Sequence, residues 1–261
     1  MRFYIFGIVI QINKKPFRFL LKRQHSSGWF KADYELFCQK MGENNEWPIT
    51  DNNPCLNDKY DNAGNNHSVY FLQDLYVAQK VFERKPVKHV DVGSRIDGFV
   101  SNVASFREIE VIDIRRMDST IENVSFKQAD MMNGDHVPSD YCDSISSLHA
   151  IEHFGLGRYG DPIDPDGHLK GFRNITKMLR GGGIFYFSVP MGSQRIEFNA
   201  HRVFGMQYLM ELVSTDYKIL SFAYIEDKGI LHRDAPLTEM NIKNSFGCKY
   251  GCAIFELLKK S

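Results

Sequence analysis

The chain of 261 residues lacks the features that mark several protein classes. Its 32 Lys and Arg residues balance 32 Asp and Glu residues, so no excess of positive charge points to a nucleic-acid partner. It has only 5 cysteines, an odd number scattered along a long chain, which indicates reduced thiols in a cytoplasmic protein. Cys248-x-x-x-Cys252 lacks a second Cys/His pair at zinc-site spacing, so we predict no metal site.

Long hydrophobic runs are also missing. The apolar block Phe3–Ile10 is much shorter than the roughly 20 residues that span a bilayer. The Asn13–Pro16 segment that follows does not resemble a signal-peptide cleavage site. Residues 1–24 combine the block with basic side chains, which leaves two interpretations open. They form a first strand or helix that packs on the protein, or a flank with a weak contact to an anionic membrane surface.

A polar stretch precedes the main domain. Between Gly42 and Ser68 eight asparagines surround Pro48 and Pro54. This composition predicts a long loop, and loops of that length in compact proteins tend to be lids or binding loops. We therefore divide the chain into an N-terminal extension with a polar lid, residues 1–68, and an α/β domain, residues 69–261.

A βαβ unit over Val87–Arg115 organises the domain. Two runs rich in β-branched residues frame a segment long enough for one helix. Gly93 and Gly98 allow a sharp turn and a close approach of the backbone to a ligand. Asp113 follows Asp91 by 22 residues, close to the roughly 20-residue offset at which such units place an acid against a ribose. An adenosine-bearing cofactor is the first hypothesis, and a purely structural βαβ unit is the alternative.

Apolar segments continue to alternate with amphipathic ones after this unit. We predict strands over residues 124–128, 142–147, 184–190, 217–225 and 250–257, and helices over residues 69–84, 167–179 and 205–213. Such alternation predicts a mostly parallel sheet with helices on both faces. Asp130 follows shortly after one predicted strand, and Asp113 ends another. Both acids should therefore lie at the same edge of the sheet.

Residues 70–257 resemble the class I S-adenosylmethionine-dependent methyltransferases. The resemblance is carried, in chain order, by Asp91–Gly93 with Gly98, Ile112–Asp113, Gln128–Asp130, Leu148–His153 and Met178–Gly183. It implies a Rossmann-like sheet of seven strands, mostly parallel with the last antiparallel, preceded here by an N-terminal extension. It also implies S-adenosylmethionine as the cofactor and S-adenosylhomocysteine as a product.

The resemblance implies cofactor contacts residue by residue. Asp91 would lie near the cofactor amino group, Asp113 would bind the ribose, and Asp130 would bind the adenine amino group. The remaining positions of the implied cofactor site are Gly93, Ser94, Arg95, Gly98 and Leu148. The family loop usually has three closely spaced glycines, whereas polar residues interrupt it here. Arg95 therefore either holds the cofactor carboxylate or marks a site that has lost the cofactor.

A hydroxyl acceptor has to lose a proton, so a general base is expected. The candidates are His149 and His153 after the fourth strand and His201 after the fifth, with His149 as the first choice. An acceptor that is already anionic would need no base, and Arg158 or Arg202 would orient it.

His149-x-x-Glu152-His153 also matches the pattern of inverted zinc peptidases. That pattern requires a helix, whereas this segment begins straight after a predicted buried strand, so zinc proteolysis is disfavoured. Metal assistance through Glu152 and His153 is a weaker alternative.

Asp91–Phe99 and Phe198–Phe204 resemble a branch of the methyltransferases found in bacterial surface-polysaccharide (capsule) gene clusters. This implies an O-methyltransferase for a small glycan-precursor acceptor: a sugar, a sugar phosphate or a phosphorus-bearing, phosphoramidate-type substituent. Two other functions remain open. One is an NAD-dependent oxidoreductase, for which G-x-G-x-x-G is absent, and the other is a non-catalytic nucleotide- or partner-binding module.

Overall fold

The computed structural model describes residues 2–5, 8–11, 14–41, 49, 55–56, 58–60, 68–135 and 137–261, with side chains from residue 28 within its first helix. The chain divides into two compact units, Met1–Asn65 and Asn66–Ser261. In the first unit, strands Arg2–Ile5 (β1) and Ile8–Gln11 (β2) pair antiparallel, and helix Lys14–Met41 (α1) follows. None of the helices described is long and apolar enough to cross a membrane. Most of the expected lid, and the side chains of the expected membrane flank, lie outside the described residues.

In the second unit, strands and helices alternate. The helices are Val69–Arg84 (α2), Ser101–Ala104 (α3), Gly167–Met178 (α4), Met206–Ser214 (α5) and Glu239–Lys243 (α6). The strands are His89–Val92 (β3), Ile109–Asp113 (β4), Val124–Gln128 (β5), Cys142–Leu148 (β6), Leu179–Met191 (β7), Arg195–Glu197 (β8), His201–Val203 (β9), Tyr217–Ile225 (β10), Leu231–His232 (β11) and Gly251–Lys259 (β12).

The main sheet has the order β11-β10-β12-β7-β6-β3-β4-β5. β12 runs antiparallel to both β7 and β10, and the pairs from β7 to β5 are parallel. The predicted fold is therefore confirmed: six strands are parallel, the last strand of the chain is antiparallel, and the short β11 extends one edge. β8 and β9 form a separate antiparallel pair.

Burial on both faces explains why the central strands are apolar. All four residues of β3 are buried, and one core cluster on each side of the sheet packs against the helices. Helix α2 buries Val77, Ala78 and Val81 and ends where Lys85 adopts a left-handed conformation (φ 48°) before Pro86. The predicted bounds of α2 and of β5 agree with the structure.

The connection after β3 differs from the predicted single helix. It begins with a π-helical turn over Ile96–Val100 and continues directly into the four-residue α3. The turn places Phe99 and Val100 in the core, while Arg95 remains at the sheet edge. π-Helical turns are often found at functional sites, and this one adjoins the cavity described below.

Candidate active site

A cavity of about 320 Å³ opens at the carboxyl ends of the parallel strands. It lies where the strand order reverses, with β6 on one side of β3 and β4 on the other. Ligands of open α/β sheets bind at this position, and the volume suits a small organic molecule. Its wall contains Tyr70, Val92, Gly93, Arg95, Ile112, Asp113, Ile114, Arg115, Ala129, Asp130, Met131, Met132, His149, Ala150, His153, Phe154, Arg158, Tyr159 and Asp161.

Gly93 makes the turn at the cavity floor. Its φ of 74° lies in the left-handed region, and its N–H donates to Ile112 O at 3.0 Å. A Cβ atom at this position would lie 2.8 Å from Ala150 Cβ, closer than two carbons approach in proteins. Both the backbone conformation and the lack of space therefore require glycine here.

Asp91 lies beneath the turn and does not line the cavity, which differs from its predicted place beside a cofactor. It is fully buried and accepts hydrogen bonds from Ser94 N (3.0 Å), Ser94 Oγ (2.6 Å) and Ser146 Oγ (2.5 Å). Burial raises its pKa to about 7. Ser94 Oγ in turn accepts from Leu148 N at 3.1 Å, so these predicted cofactor residues hold β3 and β6 together.

Gly98 also has a packing role. It lies outside the cavity wall, and a Cβ atom there would overlap the buried Asp74 carboxylate of α2. Desolvation raises the pKa of Asp74, although Gln73 donates to Oδ1 at 2.9 Å. Gly98 therefore lets α2 and the π-helical turn approach each other, and the predicted ligand contact is replaced by a helix contact.

Two acids reach the cavity from neighbouring strands, as predicted. Asp113 ends β4, and its carboxylate accepts hydrogen bonds from Arg115 N (2.8 Å), Nε (3.0 Å) and Nη2 (2.6 Å). Asp130 follows β5 and accepts from Met132 N at 2.8 Å. Ile114 and Met131 add an apolar surface between them. The sequence analysis did not predict Arg115 as a site residue. Its position two residues after Asp113 could have indicated that it lies at the site.

Arg95 lines the cavity from the glycine turn. Its guanidinium forms two hydrogen bonds with Asp97, at 3.0 and 2.7 Å, and lies 5.0 Å from the ring centroid of Tyr70. The Tyr70 ring lies 5.2 Å from the His149 ring. Tyr70 thus joins α2 to the site, a contact that the sequence pattern of α2 alone did not reveal.

His149 is the first residue after β6 and has a strained backbone, with φ of 51°. Its N–H donates to Ser188 O at 3.0 Å, and its Nδ1 lies 2.9 Å from Glu152 Oε1. Burial lowers the pKa of His149, but the Cys252 sulfur and the Glu152 carboxylate more than offset this, so its pKa lies well above the ordinary value.

The loop after β6 completes the wall. Asp161 accepts hydrogen bonds from the backbone N–H groups of Gly155 (2.8 Å), Gly157 (3.1 Å) and Tyr159 (3.1 Å), and these bonds fix the loop. Arg158 donates to Ala200 O at 2.9 Å and remains exposed at the cavity. Arg158 was predicted at the site, whereas Tyr159 was not.

Two residues predicted for the acceptor side, Arg202 and His201, also lie outside the cavity wall. Arg202 is buried and donates to the carbonyl oxygens of Glu152 (3.3 Å), Phe154 (2.6 Å) and Pro165 (3.1 Å). Arg202 therefore stabilises the loop after β6 and has no access to an acceptor. This corrects the prediction that Arg202 orients an anionic acceptor. His201 begins β9, and its Nε2 lies 3.3 Å from Glu197 Oε2. In the described part of the chain, no group of three His, Cys, Asp or Glu residues is arranged to hold a metal.

A family model described as "Caenorhabditis protein of unknown function, DUF268" matches residues 101–231, which is 131 of the 261 residues. The chain belongs to this family. The matched segment of this DUF268 member covers β4 to the start of β11, including Asp113, Asp130 and the β6 loop. No curated protein matches the chain in sequence.

Solved structures share the fold. The [4+2]-cyclase SpnF is 15% identical with a TM-score of 0.50, over 71% of this chain and 81% of that chain. The 1,6-didemethyltoxoflavin-N1-methyltransferase of Burkholderia thailandensis, solved with S-adenosylhomocysteine, is 12% identical with a TM-score of 0.52, over 73% and 80%. Structural neighbours of this DUF268 protein therefore include class I S-adenosylmethionine-dependent methyltransferases, and the methyltransferase fold is established.

Proposed function

We propose that the protein is a methyltransferase that uses S-adenosylmethionine and acts on an oxygen of a small polar acceptor. The observation that carries the proposal is the placement of Gly93, Asp113 and Asp130 at the ends of three neighbouring parallel strands, around one cavity at the reversal of strand order. A glycine turn and two acids in this arrangement suit an adenosine.

The residues of the cavity fit the cofactor. Asp113 would accept hydrogen bonds from the ribose hydroxyls, Asp130 would accept from the adenine amino group, and Ile114 and Met131 would contact the adenine ring. Arg95 would bind the cofactor carboxylate in place of part of its contact with Asp97. When bound, S-adenosylmethionine supplies an electrophilic methyl group. The protein's own contribution is to orient the acceptor and to exclude water.

The β6 side of the cavity supports a polar acceptor. His149, His153, Arg158 and Tyr159 all come from β6 or the loop that follows it, and together they offer positive charge and hydrogen-bonding groups. Hydroxyl and phosphate groups suit such a wall. We therefore propose a sugar, a sugar phosphate or a phosphorus-bearing substituent of a surface-polysaccharide precursor as the acceptor.

A second candidate is a nucleotide-binding module without methyl transfer. The fold also occurs in a protein named as a [4+2]-cyclase, so it is not restricted to proteins named as methyltransferases.

Titration calorimetry with S-adenosylmethionine, S-adenosylhomocysteine and NAD tests these functions. We expect the first two to bind and NAD to give no heat. Incubation with S-adenosylmethionine and mixed nucleotide sugars should then yield a product heavier by one methyl group. Binding without any methylated product would favour the second candidate, and a lack of binding by both sulfur nucleotides would refute the cofactor assignment.

A further inference from the structure

The Glu152 carboxylate lies between two histidines of the cavity wall. Its Oε1 is 2.9 Å from His149 Nδ1 and 3.7 Å from His153 Nε2, and both histidines line the cavity. The Glu152 side chain is 1% exposed, and its Oε2 has no hydrogen-bond partner within the described structure. A buried carboxylate is stabilised by a neighbouring positive charge, and the imidazoles of His149 and His153 both face it.

The contacts of His149 favour the charged form. The groups that face it are Glu152 and His153 on its own turn, Cys252 from β12, Tyr250 just before β12, and Tyr70 and Asp74 from α2. Two of these are carboxylates, and His149 Nδ1 donates directly to one of them. Burial alone would lower the pKa of His149, but Cys252 and Glu152 raise it overall. A charged imidazole has no lone pair, so His149 cannot accept a proton from an acceptor.

The contacts of His153 favour the neutral form. Its Nδ1 lies 2.6 Å from Ala200 O, and a carbonyl oxygen only accepts, so in the neutral form Nδ1 carries the proton and Nε2 has the lone pair. The rings of Tyr159 and His201 lie 5.3 and 6.4 Å from its ring, and Arg158 is also near. Burial lowers the pKa of His153, and the charges of Arg158 and His149 add to this, against the opposing effects of Glu152 and of the hydrogen bond to Ala200.

We propose that His153 Nε2 accepts the proton of the acceptor hydroxyl, that His149 remains a cation in the cavity wall, and that Glu152 fixes these two roles. The assignment rests on the methyl transfer proposed above. His153 takes the hydroxyl proton while the acceptor oxygen forms its bond to the methyl carbon, and the electron pair of the broken carbon–sulfur bond stays on sulfur. His149 stabilises the negative charge that develops on the oxygen. His153 thereby replaces His149, the first choice from the sequence, as the base.

Histidine NMR on the intact protein tests the proposal without a known acceptor. Long-range ¹H–¹⁵N spectra near neutral pH report the charge and tautomer of each imidazole, with assignments from His149→Gln and His153→Gln. We expect a charged His149 and a neutral His153 protonated on Nδ1. In Glu152→Gln, which keeps the size of the side chain, the charged fraction of His149 should fall, because the neighbouring carboxylate is removed. The matched control is Glu197→Gln, which should affect His201 and leave His149 unchanged.

Reaction with diethyl pyrocarbonate, followed by peptide mass mapping, gives a second measurement because only neutral imidazoles react. His153 should be modified in the wild type, and His149 should react at least several-fold faster in Glu152→Gln than in the wild type. A neutral His149 or a charged His153 in the wild type would overturn the proposal. So would a shift of both histidine resonances on adding Mg²⁺ or Mn²⁺, since Glu152 would then serve a metal.

Failure of the histidine assignment can be distinguished from failure of the proposed function. Calorimetry with S-adenosylhomocysteine decides whether the cofactor binds, and it does not depend on the charge of either histidine. If the cofactor binds and the NMR result disagrees, only the histidine roles fail. With an acceptor in hand, His153→Gln should lower kcat at least a hundredfold near neutral pH and leave the affinity for S-adenosylhomocysteine within about twofold.

Discussion

Arg115 and Asp113 form a two-point ion pair at the end of β4. The guanidinium Nε and Nη2 lie 3.0 and 2.6 Å from the two carboxylate oxygens, and the same guanidinium lies 4.5 Å from the ring centroid of Tyr159 in the β6 loop. The acid that we assign to the ribose is thus already bound by a side chain of the protein. Any ligand hydroxyl at Asp113 has to compete with Arg115.

Removal of the competitor should strengthen binding. For Arg115→Ala we expect the affinity for S-adenosylhomocysteine to rise by a factor of about 1.4 to 5, because a partly exposed ion pair contributes about 0.2 to 1 kcal/mol. Calorimetry provides the measurement. Arg116→Ala is the matched control, since Arg116 is exposed and pairs with Asp118 outside the cavity wall. Weaker binding by Arg115→Ala alone would mean that the guanidinium turns toward the ligand.

Loss of the acid itself should have the opposite effect. Asp113→Ala removes two charge-assisted hydrogen bonds to the ribose, so we expect the binding free energy to weaken by about 2 to 4 kcal/mol. The exposed Asp118→Ala should bind S-adenosylhomocysteine like the wild type. Unchanged affinity in Asp113→Ala would contradict the ribose assignment.

Gly93 and Gly182 have the same backbone conformation but differ in the space around them. Alanine substitutions at the two positions therefore distinguish the cost of backbone strain from the cost of a steric clash. Gly93 and Gly182 have φ of 74° and 73°, but only at Gly93 would a Cβ atom meet a neighbour, Ala150 at 2.8 Å. Gly182→Ala should lower the unfolding free energy by about 1 kcal/mol through backbone strain. Gly93→Ala should cost about 1 to 3 kcal/mol more because of the contact, and it should also weaken cofactor binding. Urea unfolding measures both variants, and equal losses would show that the turn can move away from Ala150.

The buried Asp91 should make stability depend on pH. Its pKa is raised from 3.8 to about 7 by burial, so the unfolded chain loses this proton at a lower pH than the folded protein does. The contribution of Asp91 to the free energy of unfolding is therefore complete below pH 3.8 and is lost as the pH rises to about 7. The free energy lost over this range is on the order of a few kcal/mol.

Asp91→Asn isolates this effect. The buried His89, whose pKa is lowered to about 3, acts in the opposite direction because its contribution is lost as the pH falls below 6.5. His89 is present in both proteins, and it is linked to Asp91 through Ser146 Oγ, so the difference between the two pH profiles reports on Asp91 together with this link. Between about pH 5 and about pH 7 the wild type should lose more unfolding free energy than the variant. Parallel pH profiles from urea unfolding would show that Asp91 is ionised throughout.

The mostly parallel sheet followed from the alternation of apolar and amphipathic segments, whereas the antiparallel last strand followed from the resemblance to the methyltransferases. Buried parallel strands require continuous apolar runs, and the stops at Pro86 and at Gly93 mark boundaries that side-chain chemistry dictates. The acids Asp113 and Asp130 could be placed because each lies at a strand end, and the ends of neighbouring parallel strands converge. The position of each acid at the end of a strand was sufficient to predict that it lies at the cavity.

Roles that depend on burial or on partners distant in sequence could not be predicted in this way. Asp91 and Arg202 are charged residue types that suggest a ligand, but the fold surrounds each with the protein's own polar groups. The charge of His149 depends on Cys252, about 100 residues further along the chain, and on a carboxylate that only the turn after β6 brings into reach. The sequence shows that these polar and charged side chains are present, but it does not show which of them lie in contact in the folded protein.

The position of β12 has a consequence for how the protein acquires its structure during synthesis. Among the strands described, this one comes last in the sequence, yet it inserts between β7 and β10. A nascent chain that has reached only Lys243 therefore has two unpaired strand edges in the middle of its sheet, a state that favours aggregation. Ribosome-bound intermediates should consequently need a chaperone until Gly251–Lys259 has emerged.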